Sequence, residues 1–265
     1  MPPTRKKRPR TYDPARTRAA LLAQFAHARI AVRALTDGQL AAPSGLGEWT
    51  VRELAAHLAM APGAVLRLLD GPEPPAPTLE LVDWPRSTAS RAAAVDQDTR
   101  ALAAAHPDPD ALFAAVEGEL TQRLPEAPDD RVLETRTGGM RLADYLVTRT
   151  VELVVHCDDL SRATGTEVPL DRGALAICTR LLADALAAAA PGGATEVRVP
   201  PFAVVQCVEG PRHTRGTPPN VVETDPLTWI RLATGRTTWA EERTAARVHA
   251  SGERADLSGL LPILH

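Results

Sequence analysis

Val151-Glu152-Leu153-Val154-Val155-His156-Cys157-Asp158-Asp159-Leu160 sets a carboxylate and an imidazole four residues apart in a largely apolar run. On an α-helix, positions i and i+4 lie one turn apart on the same face. Glu152 and His156 therefore project together from the side where a folded chain normally puts leucine. An ionised carboxylate buried there is costly unless something pairs with it. A salt bridge or a metal ion can do this, and the reading of the chain turns on which.

Working outward, the stretch belongs to a helix expected from about Arg141 to Thr164, ended by Gly165. Upstream, residues 14–37 carry apolar positions at helical spacing (Leu21, Leu22, Phe25, Ile30, Val32, Leu35) and stop at Asp37-Gly38. Thr50 and Glu53 have capping-box spacing and open a second helix through Leu54, Leu58, Val65 and Leu69, with Pro62 expected to kink or split it. Prolines crowd residues 72–86, a loop over the surface or across an opening. Helices are predicted over Ser87–His106 and Asp110–Leu124, then a turn-rich connection with a short extended piece at Val132–Thr135. The first 165 residues thus read as a bundle of four or five helices.

Beyond Gly165 the pattern changes. Asp171–Ala190 is one more helix, after which the period shifts toward two. Glu196–Val199, Phe202–Val208 and Asn220–Glu223 read as strands. Asp225-Pro226 caps a helix, Thr238 and Glu241 form another capping box, Val248–Ala250 reads as a last strand and Ala255–Leu261 as a last helical turn. The expected organisation is a basic disordered tail over residues 1–13, a helical bundle over 14–165 and a small α+β domain over 166–265.

Composition excludes several function classes. No apolar run approaches the roughly 18 residues of a membrane span, and no apolar segment follows the basic N-terminus as a secretory signal requires. A net charge of -3 and a pI near 6.2 argue against a nucleic-acid-binding body. Cys157, Cys178 and Cys207 are odd in number and far apart, so neither a disulfide framework nor a thiolate zinc site is indicated, and a reducing cytoplasm is expected. Lysine occurs only at Lys6 and Lys7 while arginine and alanine abound, a high-GC coding bias.

Among the histidines, His57 and His156 sit on predicted helices beside apolar neighbours. Two imidazoles and Glu152, from two helices of a bundle, make a ligand set for a divalent metal with an open position. Periodicity alone does not choose between that and a buried network in which Arg149 or Arg162 pairs with Glu152. Cys157 adjoins His156, but adjacent helical positions point about 100° apart, which makes it a packed thiol rather than a nucleophile. Asp159, at i+3 from His156, is either an acceptor for its imidazole N–H or a surface aspartate.

Trp49-Thr50-Val51-Arg52-Glu53-Leu54-Ala55-Ala56-His57-Leu58, taken with Glu152 through Leu160, resembles the mycothiol-dependent maleylpyruvate isomerases of the DinB-like superfamily of metal-binding bundles. Arg215-Gly216-Thr217-Pro218 and Asp225-Pro226 through Arg231-Leu232-Ala233-Thr234-Gly235-Arg236 are similar to the sterol-carrier-like domain that follows the bundle in that family. The resemblance implies His57, Glu152 and His156 as ligands of a divalent metal, zinc, and mycothiol as thiol cofactor. A metal-held thiolate would add to a small electrophile, allow bond rotation or transfer, and leave. It also implies an actinobacterial source, which the coding bias fits; the sequence leaves the oligomeric state open, with a monomer the favoured reading, and the charge balance indicates no specific nucleic-acid partner. The family's substrate-holding arginine after the second helix has no clean counterpart here; Arg86 is the catalytic candidate and Arg91 the other choice. A different expectation is an apolar-ligand carrier with the bundle a non-catalytic metal-binding scaffold; Trp229 and Trp239 either pack in the core of the C-terminal domain, which is the favoured reading, or line a cavity there.

Overall fold

The structure, a computed structural model, describes residues 10–210 and 218–264. Most of the basic tail, and Arg215-Gly216-Thr217 of the sterol-carrier-like run, lie outside the described residues. Helix α1 spans Pro14–Arg33, with Asp13 capping it through a bond from the Arg16 backbone N–H. It ends earlier than the apolar spacing suggests. Thr36 and Gln39 form a capping box that opens a short helix α2, Asp37–Leu40, so Gly38 lies inside a helix rather than after one.

Helix α3, Val51–Leu69, starts at the predicted Thr50–Glu53 box and runs through Pro62 without splitting. The proline ring fixes a φ that the helix already uses. The loss of its N–H is offset by burial, since α3 is packed by α5, α6 and α7 and Pro62 itself is buried. The single helix predicted over Ser87–His106 is instead broken. Trp84–Ser87 forms α4, a 3-10 turn follows at Ala89–Arg91, and Ala92–Ala105 forms α5. Hydroxyls explain the interruption: Ser87, Thr88 and Ser90 donate to the carbonyls of Trp84, Pro85 and Ser87, competing with the helical ladder. Pro109–Arg123 is α6.

Val132–Thr135 (β1) is a strand as expected, but it is half of a hairpin with β2, Gly138–Arg141, which residue pattern did not indicate. The hairpin holds the Pro-rich loop in place, the backbone N–H groups of Thr78 and Leu79 both donating to Gly139 O. Glycine is needed at this contact, because a Cβ on Gly139 would stand 2.9 Å from Ala76 O. Helix α7, Leu142–Thr164, follows directly and ends at Gly165 in the left-handed conformation, φ 68°. The long helices α1, α3, α6 and α7 pack on one another, which is the helical bundle the sequence suggests.

Helix α8, Arg172–Ala189, packs on α1 and α7 on one side and on the sheet region on the other. The small domain then builds a four-stranded sheet from β3 (Thr195–Val199), β4 (Ala203–Cys207), β5 (Val221–Thr224) and β6 (Val248–Ser251) in the order β4-β3-β5-β6. Only β3 and β5 are parallel. Helices α9 (Pro226–Ala233) and α10 (Trp239–Thr244) lie between β5 and β6 in the chain. One apolar cluster joins both parts, from Phe25 and Leu54 through Leu181 to Val197 and Ile230. No helix among the described residues is long and apolar enough to cross a membrane.

Candidate functional site

Two packed helices deliver the central residues. His57 comes from the middle of α3, Glu152 and His156 from successive turns of α7, and a ligating atom from each lies within 4.8 Å of those of the others. Glu152 Oε2 stands 3.5 Å from His57 Nε2 and 3.4 Å from His156 Nε2. The rings meet edge to face, with centroids 4.6 Å apart.

The second nitrogen of each ring decides what the first can do. His156 Nδ1 is 2.9 Å from Asp159 Oδ2. A carboxylate only accepts, so Nδ1 carries a proton and donates. In a neutral His156, Nε2 then presents a lone pair toward a Glu152 oxygen that is also an acceptor, and the two repel unless a cation or a second proton comes between them. His57 Nδ1 is likewise engaged, 3.3 Å from Thr99 Oγ1. Tetrahedral ligands about 2.0–2.1 Å from an ion stand about 3.3 Å from each other, close to the two Glu152–imidazole separations. Two imidazoles and one carboxylate therefore fit a divalent ion.

The electrostatic surroundings of the three groups differ. Burial opposes charge on Glu152, but His156, His57 and Arg149 outweigh it and hold the carboxyl well below its usual range. Burial lowers the pKa of His57, keeping it neutral. At His156, burial is outweighed by Asp159 and Glu152, which hold its proton more tightly than usual.

The triad opens onto a partly open cavity of about 330 Å³. Trp49 and Tyr145 supply aromatic wall, and Arg67, Arg91, Arg136, Arg149 and Arg236 outnumber the lining carboxylates Asp98 and Glu152. Arg236 arrives from the C-terminal part, just after α9, and grips Asp159 with Nε and Nη2 at 3.2 and 2.9 Å. One turn back along α9, Arg231 holds Asp158 at 2.6 and 2.8 Å. The small domain is thus clamped to α7 at the aspartate that orients His156.

Asp159, read from sequence as either an acceptor or a surface residue, is a buried acceptor, 3% exposed. Arg149 lies 3.6 Å from Glu152, whereas Arg162 is exposed. Arg86 does not reach the cavity: it pairs with Asp83 at 2.7 Å on the surface, because α4 turns it outward, and Arg91 lines the cavity instead. Cys157 is fully buried, and burial pushes its thiol up to about 12. Trp229 is a core residue whose Nε1 donates to Thr179 O, and Trp239 is partly buried against the core. Thr99 and the roles of Arg236 and Tyr145 were not legible beforehand, since each meets the site only through tertiary contact.

Comparison with known proteins agrees with this architecture. Residues 21–161, 141 of the 265, match the mycothiol maleylpyruvate isomerase N-terminal domain, and residues 171–263 match the bacterial SCP ortholog family. The fold is similar to the crystal structure of a mycothiol-dependent maleylpyruvate isomerase, with a TM-score of 0.58, 15% identity, and coverage of 92% of this chain and 95% of that one. A point mutant of that isomerase gives a TM-score of 0.57 at 13% identity, with the same coverage. Among curated proteins none matches significantly.

Proposed function

Because this chain belongs to the mycothiol maleylpyruvate isomerase family, we propose that it is a divalent-metal-dependent enzyme that uses mycothiol. It would isomerise, or transfer the thiol to, a small electrophilic substrate. The observation that carries the reading is the convergence of His57, Glu152 and His156 at one edge of an arginine-lined cavity. Three protein ligands leave a position for an exogenous group, the arrangement of catalytic rather than structural sites.

His57, Glu152 and His156 would hold the ion, which we take to be zinc. When bound, such an ion lowers the pKa of a thiol so that it is held as thiolate at neutral pH. Asp159 fixes the tautomer of His156 and the direction of its Nε2, and Arg236 fixes Asp159. Trp49 and Tyr145 limit water on the cavity side, and the surplus of guanidinium groups favours an electrophile that carries negative charge. The cytoplasm suits three unpaired cysteines.

The test is zinc content together with turnover. The purified parent should hold one zinc and isomerise maleylpyruvate with mycothiol, while His57→Ala and Glu152→Ala should lose both. Parent-level zinc in either variant would refute the site.

A further inference from the structure

We propose that Trp49, backed by Asp96 and Arg100, is the subsite for the sugar part of the thiol cofactor; the assignment rests on the mycothiol reading above. Mycothiol carries its cysteine on an uncharged aminosugar–inositol unit, which a protein holds through sugar C–H groups and hydroxyls rather than through charge. Arg67, Arg91, Arg136 and Arg149 give much of the cavity wall a positive charge that such a unit does not use. Beside His57 the wall is aromatic instead. The Trp49 indole lines the cavity with its centroid 5.1 Å from that of the imidazole, tilted by 45°. The electron-rich face of an indole attracts the weakly positive C–H groups of a sugar ring.

Trp49 is set in place before any ligand arrives. It directly precedes Thr50, whose capping box fixes where the chain enters α3. Its carbonyl accepts from both the N–H and the hydroxyl of Ser44, each at 2.8 Å. Its indole Nε1 donates to Asp96 Oδ1 on α5 at 2.6 Å. The ring is therefore fixed in orientation while remaining partly exposed, which lowers the cost of stacking a ligand on it. Asp96 also accepts from Arg100 Nε at 3.0 Å, and Arg100 Nη1 reaches Glu53 Oε1 at 3.4 Å. The side chains of Asp96 and Arg100 are 46% and 43% exposed, so they can still accept from and donate to hydroxyls. Triad histidine, aromatic ring and polar cluster follow one another as do sulfur, aminosugar and inositol in the cofactor.

The test uses the full chain loaded with cobalt(II), because a thiolate on that ion absorbs in the near ultraviolet and reports affinity without turnover. Mycothiol is compared with N-acetylcysteine amide, which has the sulfur but no sugar and no charge. We expect the parent to bind mycothiol at least about tenfold more tightly. Trp49→Leu should lose most of that preference, with cobalt content and affinity for N-acetylcysteine amide at the parent level. Trp49→Phe, which keeps a ring, should recover part of it. Asp96→Ala should lower the preference by about threefold, and no change there overturns the proposal if Trp49→Leu does not fold. Equal affinity of the parent for both thiols sinks the subsite alone, as does an unchanged preference in Trp49→Leu. Equal weakening of both thiols in that variant also overturns the subsite and reduces Trp49 to a prop for His57. Absorption by neither thiol sinks the mycothiol reading, and the sulfur-free aminosugar–inositol, titrated calorimetrically, then decides the subsite. Binding that Trp49→Leu abolishes keeps it, and no binding overturns it.

Discussion

The cavity side of the helical bundle and the C-terminal domain treat buried polar groups differently. Among the described residues of the C-terminal domain, several such groups close on partners within it. Asn220 donates to Ala194 O and accepts from the Arg254 N–H, Thr234 donates to Ile230 O, and Trp229 donates to Thr179 O. In the bundle, His57, Glu152, His156, Arg149 and Arg91 converge on a cavity with donors and acceptors left over. Closed networks hold a shape, whereas open ones wait for a ligand. The two regimes meet at Asp158 and Asp159, where arginines of the small domain complete acids of α7.

The sharpest break of this contrast is Glu152→Ala. It removes the only carboxylate of the triad, and zinc affinity measured by chelator competition should fall by about 100-fold or more, while the metal-free protein should also lose thermal stability, because the folded state favours the ionised carboxylate and Arg149 loses its counter-charge. Next, Arg231→Met leaves Asp158 buried and unpaired. It should cost about 3 kcal/mol in chemical denaturation without changing zinc stoichiometry, because Asp158 touches no member of the triad. Asp159→Asn acts on both sides of the boundary, weakening zinc by about 10- to 100-fold.

It should also alter the acid limb of stability. Burial opposes charge on Asp159, but His156 and Arg236 outweigh it and hold its carboxyl well below the usual range. Its contribution is therefore fully present above the unfolded pKa of about 3.9 and is lost as pH falls through the lower folded value. Acid titrations of metal-free parent should show that loss, and Asp159→Asn should lack it. The smallest effect is expected at Asn220→Ala, about 1–2 kcal/mol of stability from the unsatisfied Ala194 carbonyl and Arg254 amide, with metal binding untouched. A metal defect there would erase the distinction between the two regions.

Much of the site was legible because its key spacing is local. Glu152 and His156 are one helical turn apart, and the Thr50–Glu53 box fixes where α3 begins and therefore which face carries His57. Arg86 was the wrong arginine for the cavity because nothing in the Pro-rich run indicates that hydroxyl-to-carbonyl bonds break the helix after it and turn Arg91 inward. Pro62 misled in the other direction, since packing on three neighbouring helices is invisible to a rule about one helix.

By itself, then, the sequence determined a bundle followed by a small α+β domain and the placing of Glu152 and His156 on one helical face, while the joining of His57 to them was implied by the family resemblance. Helical periodicity and capping act over three or four residues and can be counted along the chain. Only the tertiary structure decided that Arg236 grips Asp159 from 77 positions away, and that Arg149 is left with an unused N–H between Trp84 and Tyr145. Desolvation and charge pairing depend on what surrounds a group in space, and that is set by how the helices and the sheet pack.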